Sequence, residues 1–269
     1  MAAIVEDWRA QSIGGFQCAM DLFQLAIVPS LLYNSSTWVE ITSETEELLE
    51  NLQLFFVRLV LRVPQGTPKV ALRSETGLLS MKLRIWKTKC LFLAHIKDMD
   101  RNTLARQVYE EQRKYGWPGL HKEVTSICQE LGIEDINTTK MEKSALKRVL
   151  EAACNNINES ELKINMKGKT EKLKSEDCKM KEYMRYKSLK EVHDIFSSRT
   201  NLVEGFKGNF KNLYKNTNLN CVGCGQEVDD QTHATQCPAY DDLREGLNLQ
   251  QDRDLVAFFR KVMQRRNNE

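Results

Sequence analysis

The chain has 269 residues, 41% of them hydrophobic and 28% charged, with 13 Gly and only 5 Pro. That length allows one large domain or two ordinary ones, and the scarcity of turn formers favours helices over a Gly/Pro-punctuated β-sandwich. The net charge of +2 conceals a strong asymmetry. Residues 1–57 carry one basic residue, Arg9, against eight acids, residues 58–122 carry fourteen basic against five acidic, and residues 140–215 carry eighteen against eleven. Local positive fields of this kind are what contact with a polyanion requires. Lysines that only solvate helix faces would leave the same trace.

The first residues include Glu6, Asp7 and Arg9, not the basic start and apolar run of a signal peptide. Gln17, Asp21, Gln24 and Pro29 interrupt the stretch 13–39, which makes it a poor membrane span. The expectation is an intracellular chain, nuclear or cytoplasmic, without membrane contact. Its eight Cys would then be reduced, serving as core fillers or metal ligands. The sequons at Asn34, Asn137 and Asn158 would carry no glycan.

In chain order, residues 12–33 are densely apolar (Phe16, Met20, Phe23, Ile27, Leu31) and predict a buried helix, bent near Pro29. Asn34-Ser35-Ser36 predicts a turn. Ser43 followed by Glu46 reads as a capping box. It would open a helix with apolar positions at Leu48, Leu52, Phe55, Leu59 and at Phe56, Val60, Val63. That helix would end in Arg58 and Arg62 and stop at Pro64-Gln65-Gly66-Thr67-Pro68. Short and long helices follow at about 70–76 and 79–96, the second with a stripe of Leu79, Leu83, Trp86, Cys90 and Leu93. On that helix Lys82 and Lys89 share one side, and Arg84 and Lys87 another. Trp86 is expected in the core. Further helices are predicted at 103–115 and 121–132, separated by Gly116-Trp117-Pro118-Gly119. Two or three long exposed helices are predicted over the Lys-rich stretch 140–195. After a polar linker at 215–220, a last helix spans 252–266. Leu255, Phe258, Phe259 and Val262 would face inward, and Arg260, Lys261, Arg265 and Arg266 outward.

One segment carries metal chemistry. Cys221-Val222-Gly223-Cys224 and His233-Ala234-Thr235-Gln236-Cys237 form C-x2-C-x8-H-x3-C. Two Cys separated by two residues, with Gly223 and Gly225 permitting a tight turn, can aim both thiolates at one ion. A second pair on one helical turn closes a tetrahedron. Four ligands leave no open position, so Cys221, Cys224, His233 and Cys237 predict a structural Zn2+ site and not a hydrolytic one. The remaining cysteines, Cys18, Cys90, Cys128, Cys154 and Cys178, read as core fillers, and His95, His121 and His193 as packed or surface side chains. Ala239-Tyr240-Asp241-Asp242 has the look of a polymerase carboxylate pair. It follows the last Cys directly, with no third carboxylate on a plausible upstream strand, so it is read as non-catalytic. No P-loop, dinucleotide-binding turn or HExxH motif is present.

Three stretches of the chain resemble one family. The run Ile27-Val28-Pro29-Ser30-Leu31-Leu32-Tyr33-Asn34-Ser35-Ser36-Thr37-Trp38 is similar to the segment after the polymerase palm in non-LTR retrotransposon reverse transcriptases. The residues from Leu59 to Pro68, Ala71 to Gly77 and Lys87 to Ile96 resemble that family's thumb. Ser198-Arg199-Thr200, followed by Cys221, Cys224, His233, Cys237-Pro238 and Tyr240, resembles its C-terminal Cys/His module. The likeness covers residues 15–105 and 185–245. It implies a helical thumb-like domain over 1–120, a Lys-rich helical connector over 121–200 and a zinc module with a terminal helix over 201–269. The family's catalytic palm would precede Met1, so the expected fragment is non-catalytic.

The expected function is binding of RNA or DNA, as template–primer duplex or single strand, with no small-molecule substrate. Lys82, Arg84, Lys87 and Lys89, together with the segment from Lys163 to Lys190, are the expected phosphate contacts. The alternative is a helical protein-interaction module with a structural zinc site and no nucleic-acid role.

Overall fold

The computed structural model describes residues 15–38, 41–139, 141–211 and 213–268. It is mostly helical, as the periodicity predicts, and the only β pairing among the described residues is one antiparallel bridge, Asn220 with Val228. The helices are α1 (Phe16–Leu22), α2 (Val28–Leu31), α3 (Ser43–Leu61), α4 (Lys69–Thr76), α5 (Met81–Asp98), α6 (Leu104–Tyr115), α7 (Leu120–Leu131), α8 (Lys143–Asn165), α9 (Glu182–Tyr186), α10 (Leu189–Thr200), α11 (Gln231–Ala234), α12 (Asp241–Arg244) and α13 (Asp252–Asn268). No described helix is long and apolar enough to cross a membrane.

Local chemistry explains most of the boundaries. The expected start of the first helix at residue 12 lies outside the described residues. Between α1 and α2 the chain makes a π-helical turn, Phe23–Ile27. A proline at position 29 removes one amide and crowds the preceding turn, and the wider π turn just before it takes up that defect. Helix α3 is capped one residue earlier than expected. The Thr42 side chain accepts from the Thr45 amide at 3.2 Å, and Thr45, not a Glu, holds the third helical position, so no Ser43–Glu46 box forms. Arg62 ends α3 in the left-handed conformation (φ 56°), and Gly77 ends α4 in the same way (φ 66°).

The Lys-rich middle differs more from expectation. One long helix, α8, is followed by a 3-10 stretch (Gly168–Ser175) and by two shorter helices, α9 and α10. Nor are these elements simply exposed. Leu146, Leu150, Cys154 and Leu162 of α8 are buried, as are Tyr183, Met184, Val192 and Phe196. Residues spaced for a buried face and residues carrying charge alternate closely here, so composition masks the stripe.

Four apolar clusters hold the chain together. The first joins α1 and α3 to α9 and α10, with Phe23 stacked on Phe56 at 4.6 Å and Val256 of α13 at its edge. The second joins α5, α6, α7 and α8. Helix α5 is the wall between them, because Met81 faces the first cluster while Leu83, Cys90 and Leu93 face the second. A third unites the Cys/His segment with α13, and a fourth joins α4 to the end of α8 and the 3-10 stretch. The expected divisions at residues 120 and 200 therefore do not coincide with breaks in packing. Helix α5 shares a core with α7 and α8 across the first division, and Val256 of α13 packs on the cluster that holds α10 across the second. Of the expected core cysteines, Cys90, Cys128, Cys154 and Cys178 are buried, whereas Cys18 is exposed.

The first cluster is crossed by a buried ionic knot. Glu75, at the end of α4, is fully buried, and Arg199 of α10 binds both of its carboxylate oxygens, at 2.9 and 3.0 Å. Tyr183 donates its hydroxyl to Glu75 at 2.6 Å, and Arg199 also pairs with Glu176 and with Asp252 of α13. Burial and the neighbouring Glu75 carboxylate raise the Tyr183 pKa well above its ordinary value. Burial alone would raise the Glu176 carboxyl, but Lys181 and Arg199 hold it below the ordinary range. Removing one partner of such a knot strands a buried charge, at a cost of about 3–5 kcal/mol. Arg199→Met is therefore expected to lower the unfolding free energy by about that amount, read as a lower urea midpoint at an unchanged slope. An unaltered midpoint would show that Glu75 finds another partner. Since the Glu176 pKa is depressed on folding, its share of stability is present above the ordinary carboxylate range and fades as pH falls through the folded value.

Candidate metal centre and charged surfaces

The Cys/His segment builds its site from a tight hairpin and one turn of helix. Asn220 and Val228 form the bridge, the Cys221 amide donates to the Glu227 carbonyl at 2.6 Å, and the Gly225 amide donates to the Cys221 carbonyl at 2.8 Å. Gly225 takes φ 71°, which a side chain would strain. This turn points Cys221 and Cys224 the same way. Asp230 then caps α11, accepting from the His233 amide at 2.8 Å, and α11 brings His233 and Cys237 to the opposite side.

The ligand atoms of Cys221, Cys224, His233 and Cys237 lie within 4.8 Å of one another, close enough to hold a metal ion. The Cys221 and Cys237 sulfurs are 3.8 Å apart, and Cys224 Sγ is 3.3 Å from His233 Nε2. A tetrahedron with metal–sulfur bonds of about 2.3 Å has sulfur–sulfur edges of roughly 3.8 Å. The His233 Nδ1 lies 2.9 Å from Glu227 Oε2. A ring donating from Nδ1 to that carboxylate presents its Nε2 lone pair to the site, the usual orienting contact behind a metal-bound imidazole. The backbone amides of Gln226 and Glu227 lower the Cys224 thiol to about 6, which favours the thiolate that metals bind. Burial raises Cys237 to about 11, so this buried thiol would lose its proton only to a bound cation.

Three features outside the ligand set shape this module. A side chain at Gly223 would place its Cβ 2.8 Å from Ala239 Cβ and 3.1 Å from the Tyr240 ring, so the hairpin can lie on Tyr240 only with glycine there. Arg266 of α13, expected to face outward, is instead largely buried. It binds the fully buried Asp229 through two hydrogen bonds (2.5 and 3.1 Å), donates to Tyr240 Oη at 2.9 Å and covers the Phe206 ring at 4.4 Å. Its apparent place on the polar face reflected spacing within the helix, which cannot see a carboxylate brought from 37 residues away. Gln231 completes the docking. Its side chain donates to the Ser198 carbonyl at 3.1 Å and accepts from the Val203 amide and from Asn209, both at 2.8 Å.

The Tyr240-Asp241-Asp242 sequence sits in a 3-10 turn and a short helix (Pro238–Tyr240 and α12). Tyr240 is buried, Asp241 pairs with Arg244, and Asp242 pairs with Arg265.

The expected phosphate contacts on α5 divide. Lys89 is corrected outright: it is fully buried, and its ammonium is held by Glu123 and by the Trp38 carbonyl at 2.5 Å. It closes the junction of α5, α7 and the Trp38 segment. Arg84 is half-buried, and desolvation lowers its pKa. Lys87 reaches Glu151 of α8 at 3.2 Å, and Lys82 lies over the half-buried Trp86 ring at 4.5 Å. Within the segment from Lys163 to Lys190, Lys163 and Lys181 pair with acids, while Lys174, Arg185 and Lys190 are exposed. Comparison with protein families, curated proteins and solved structures returned no match to this chain.

Two outcomes are expected at the metal centre. The purified chain should carry one tightly held metal ion, measured by elemental analysis, and Cys221→Ser should lose it. Retention of full occupancy by that variant would remove Cys221 from the ligand set. Gly223→Ala should keep the ligands but cost about 1–3 kcal/mol through overpacking on Tyr240, read as a lower melting temperature of the metal-loaded chain.

Proposed function

We propose that this chain is a non-catalytic nucleic-acid-binding segment, corresponding to the thumb and C-terminal Cys/His part of a non-LTR retrotransposon reverse transcriptase. In this reading, Cys221, Cys224, His233 and Cys237 hold a structural Zn2+. Three thiolates and one imidazole in a tetrahedron suit zinc, and four protein ligands leave no place for a reacting water. The ion would keep the hairpin and α11 folded against α13.

The observation that carries the binding reading is the unequal use of charge in residues 140–215. Six of its eleven acids are drawn into ion pairs: Glu151 with Lys87, Glu159 with Lys163, Glu176 with Arg199, Asp177 with Lys181, Glu191 with Lys187 and Asp194 with Arg260. By contrast, Lys147, Arg148, Lys174, Arg185 and Lys190 are exposed, and none has a carboxylate within ion-pair distance among the described residues. The positive excess of the block thus stands on the surface, where phosphates could meet it.

A second reading has its own support. Leu104 and Val108 of α6 are 74% and 47% exposed beside a groove of about 930 Å3 between α5, α6 and α7, a surface suited to a protein partner. A salt titration separates the two. Affinity for RNA should fall with salt, with a slope of log affinity against log salt of roughly −0.7 per phosphate contact on a single strand. Replacing Lys147, Arg148 and Lys174 with Gln should flatten the slope by about one to two units. Absence of salt-sensitive RNA binding would favour the protein-interaction reading. Primer extension on an RNA template should give no product above a blank.

A further inference from the structure

The cleft between the end of α3 and the α9–α10 junction joins residues from both basic blocks. Arg62 comes from the first, and Arg185, Lys187 and Lys190 come from the second. Its volume is about 870 Å3, and Tyr186 and His193 line it as well. Two acids share the lining. Asp194 is neutralised by Arg260, and Glu204 stands exposed at one side. Lys187 is answered by Glu191, so Arg62, Arg185 and Lys190 are the lining cations with no ion pair among the described residues, and the balance is cationic.

Tyr186 is the unusual member. It is 77% exposed, although its neighbours Tyr183 and Met184 are buried and anchor α9. A large ring left in water on a rigid support, ringed by cations, has little to do within the fold. The surrounding backbone is fixed. Lys187 packs its carbonyl against the start of α1, where a Cβ on Gly15 would lie 3.2 Å away. Ser188 caps α10 in a reciprocal box with Glu191. His193 Nδ1 is held by the Leu61 carbonyl at 2.8 Å, which leaves the other ring nitrogen for the cleft, and Arg62 is fixed in the left-handed conformation that ends α3.

We infer that this cleft is a binding site for single-stranded nucleic acid. One base stacks on Tyr186, and Arg62, Arg185 and Lys190 take the flanking phosphates. The inference rests on the nucleic-acid reading above and specifies where and what. Sequence-tolerant single-strand sites combine a positive groove with an aromatic platform, since every base has a face to stack. A duplex keeps its bases stacked internally and offers none to the ring. An acidic peptide would satisfy the cations but gain nothing from the ring.

The test uses the metal-loaded full chain and a labelled RNA of about 15 nucleotides, single-stranded or paired with its complement. Tyr186→Ala should weaken single-strand binding by about 5- to 150-fold, with the salt slope and the duplex affinity unchanged, while Tyr186→Phe should bind like wild type. Arg185→Gln with Lys190→Gln should instead flatten the salt slope by about one unit. Tyr186 and both basic residues are exposed, so thermal melting should show these variants folded. If wild type binds RNA and every cleft variant matches it, the cleft assignment is overturned while the broader reading stands. If wild type binds no nucleic acid, both fall. If polyglutamate displaces the strand and Tyr186→Ala has no effect, the site belongs to an acidic peptide and the inference is overturned.

Discussion

A buried carboxylate with one guanidinium to answer it constrains this molecule more than any other contact. Glu75 has no exposure to water, so the fold is consistent only when Arg199 reaches it. Arg199 then draws in Glu176 and Asp252, and Tyr183 supplies a further hydrogen bond. Five segments, α4, the chain after the 3-10 stretch, α9, α10 and α13, are thereby brought to one point. Apolar packing against α1 and α3 tolerates some sliding, but a bidentate ion pair does not. Its contribution is a fixed register more than net stability.

The C-terminal module repeats the device on a smaller scale. Asp229 and Arg266 are both withdrawn from solvent, and the pair fastens the hairpin that carries Cys221 and Cys224 to the end of α13. Tyr240 and Phe206 flank the guanidinium, and the hairpin rests on Tyr240 through Gly223. The ligand cluster is thus continuous with a core that includes Phe258, Phe259 and Val262. A metal ion there would stiffen a structure already docked on α10 through Gln231 and Ser198, and would not be its sole support.

Charge is sorted by the same logic. Acids that meet arginine or lysine inside the fold lose their effect on the outer field, and the basic residues left over define it. The cleft of Arg62, Arg185, Tyr186 and Lys190 is the sharpest product of this sorting, because it is assembled only where the end of α3 meets the start of α10.

What could be read from the residues alone was whatever depends on near neighbours. The 3.6-residue spacing of Leu83, Trp86, Cys90 and Leu93 marked α5, the run from Pro64 to Pro68 marked the end of α3, and C-x2-C with H-x3-C marked a ligand set that the fold gathers within 4.8 Å. Each of these is a local geometric demand, satisfied within a few residues of chain. What only the tertiary structure decided involves partners distant in sequence. Lys89 lay on a basic helix face by spacing, yet Glu123 and Trp38 close over it. Arg266 lay on a polar face, yet Asp229 buries it. Glu75 and Arg199, separated by 124 positions, gave no signal of their pairing. An ion pair has no periodicity, so a charged side chain does not reveal whether its partner is water or a carboxylate until the chain has folded around it.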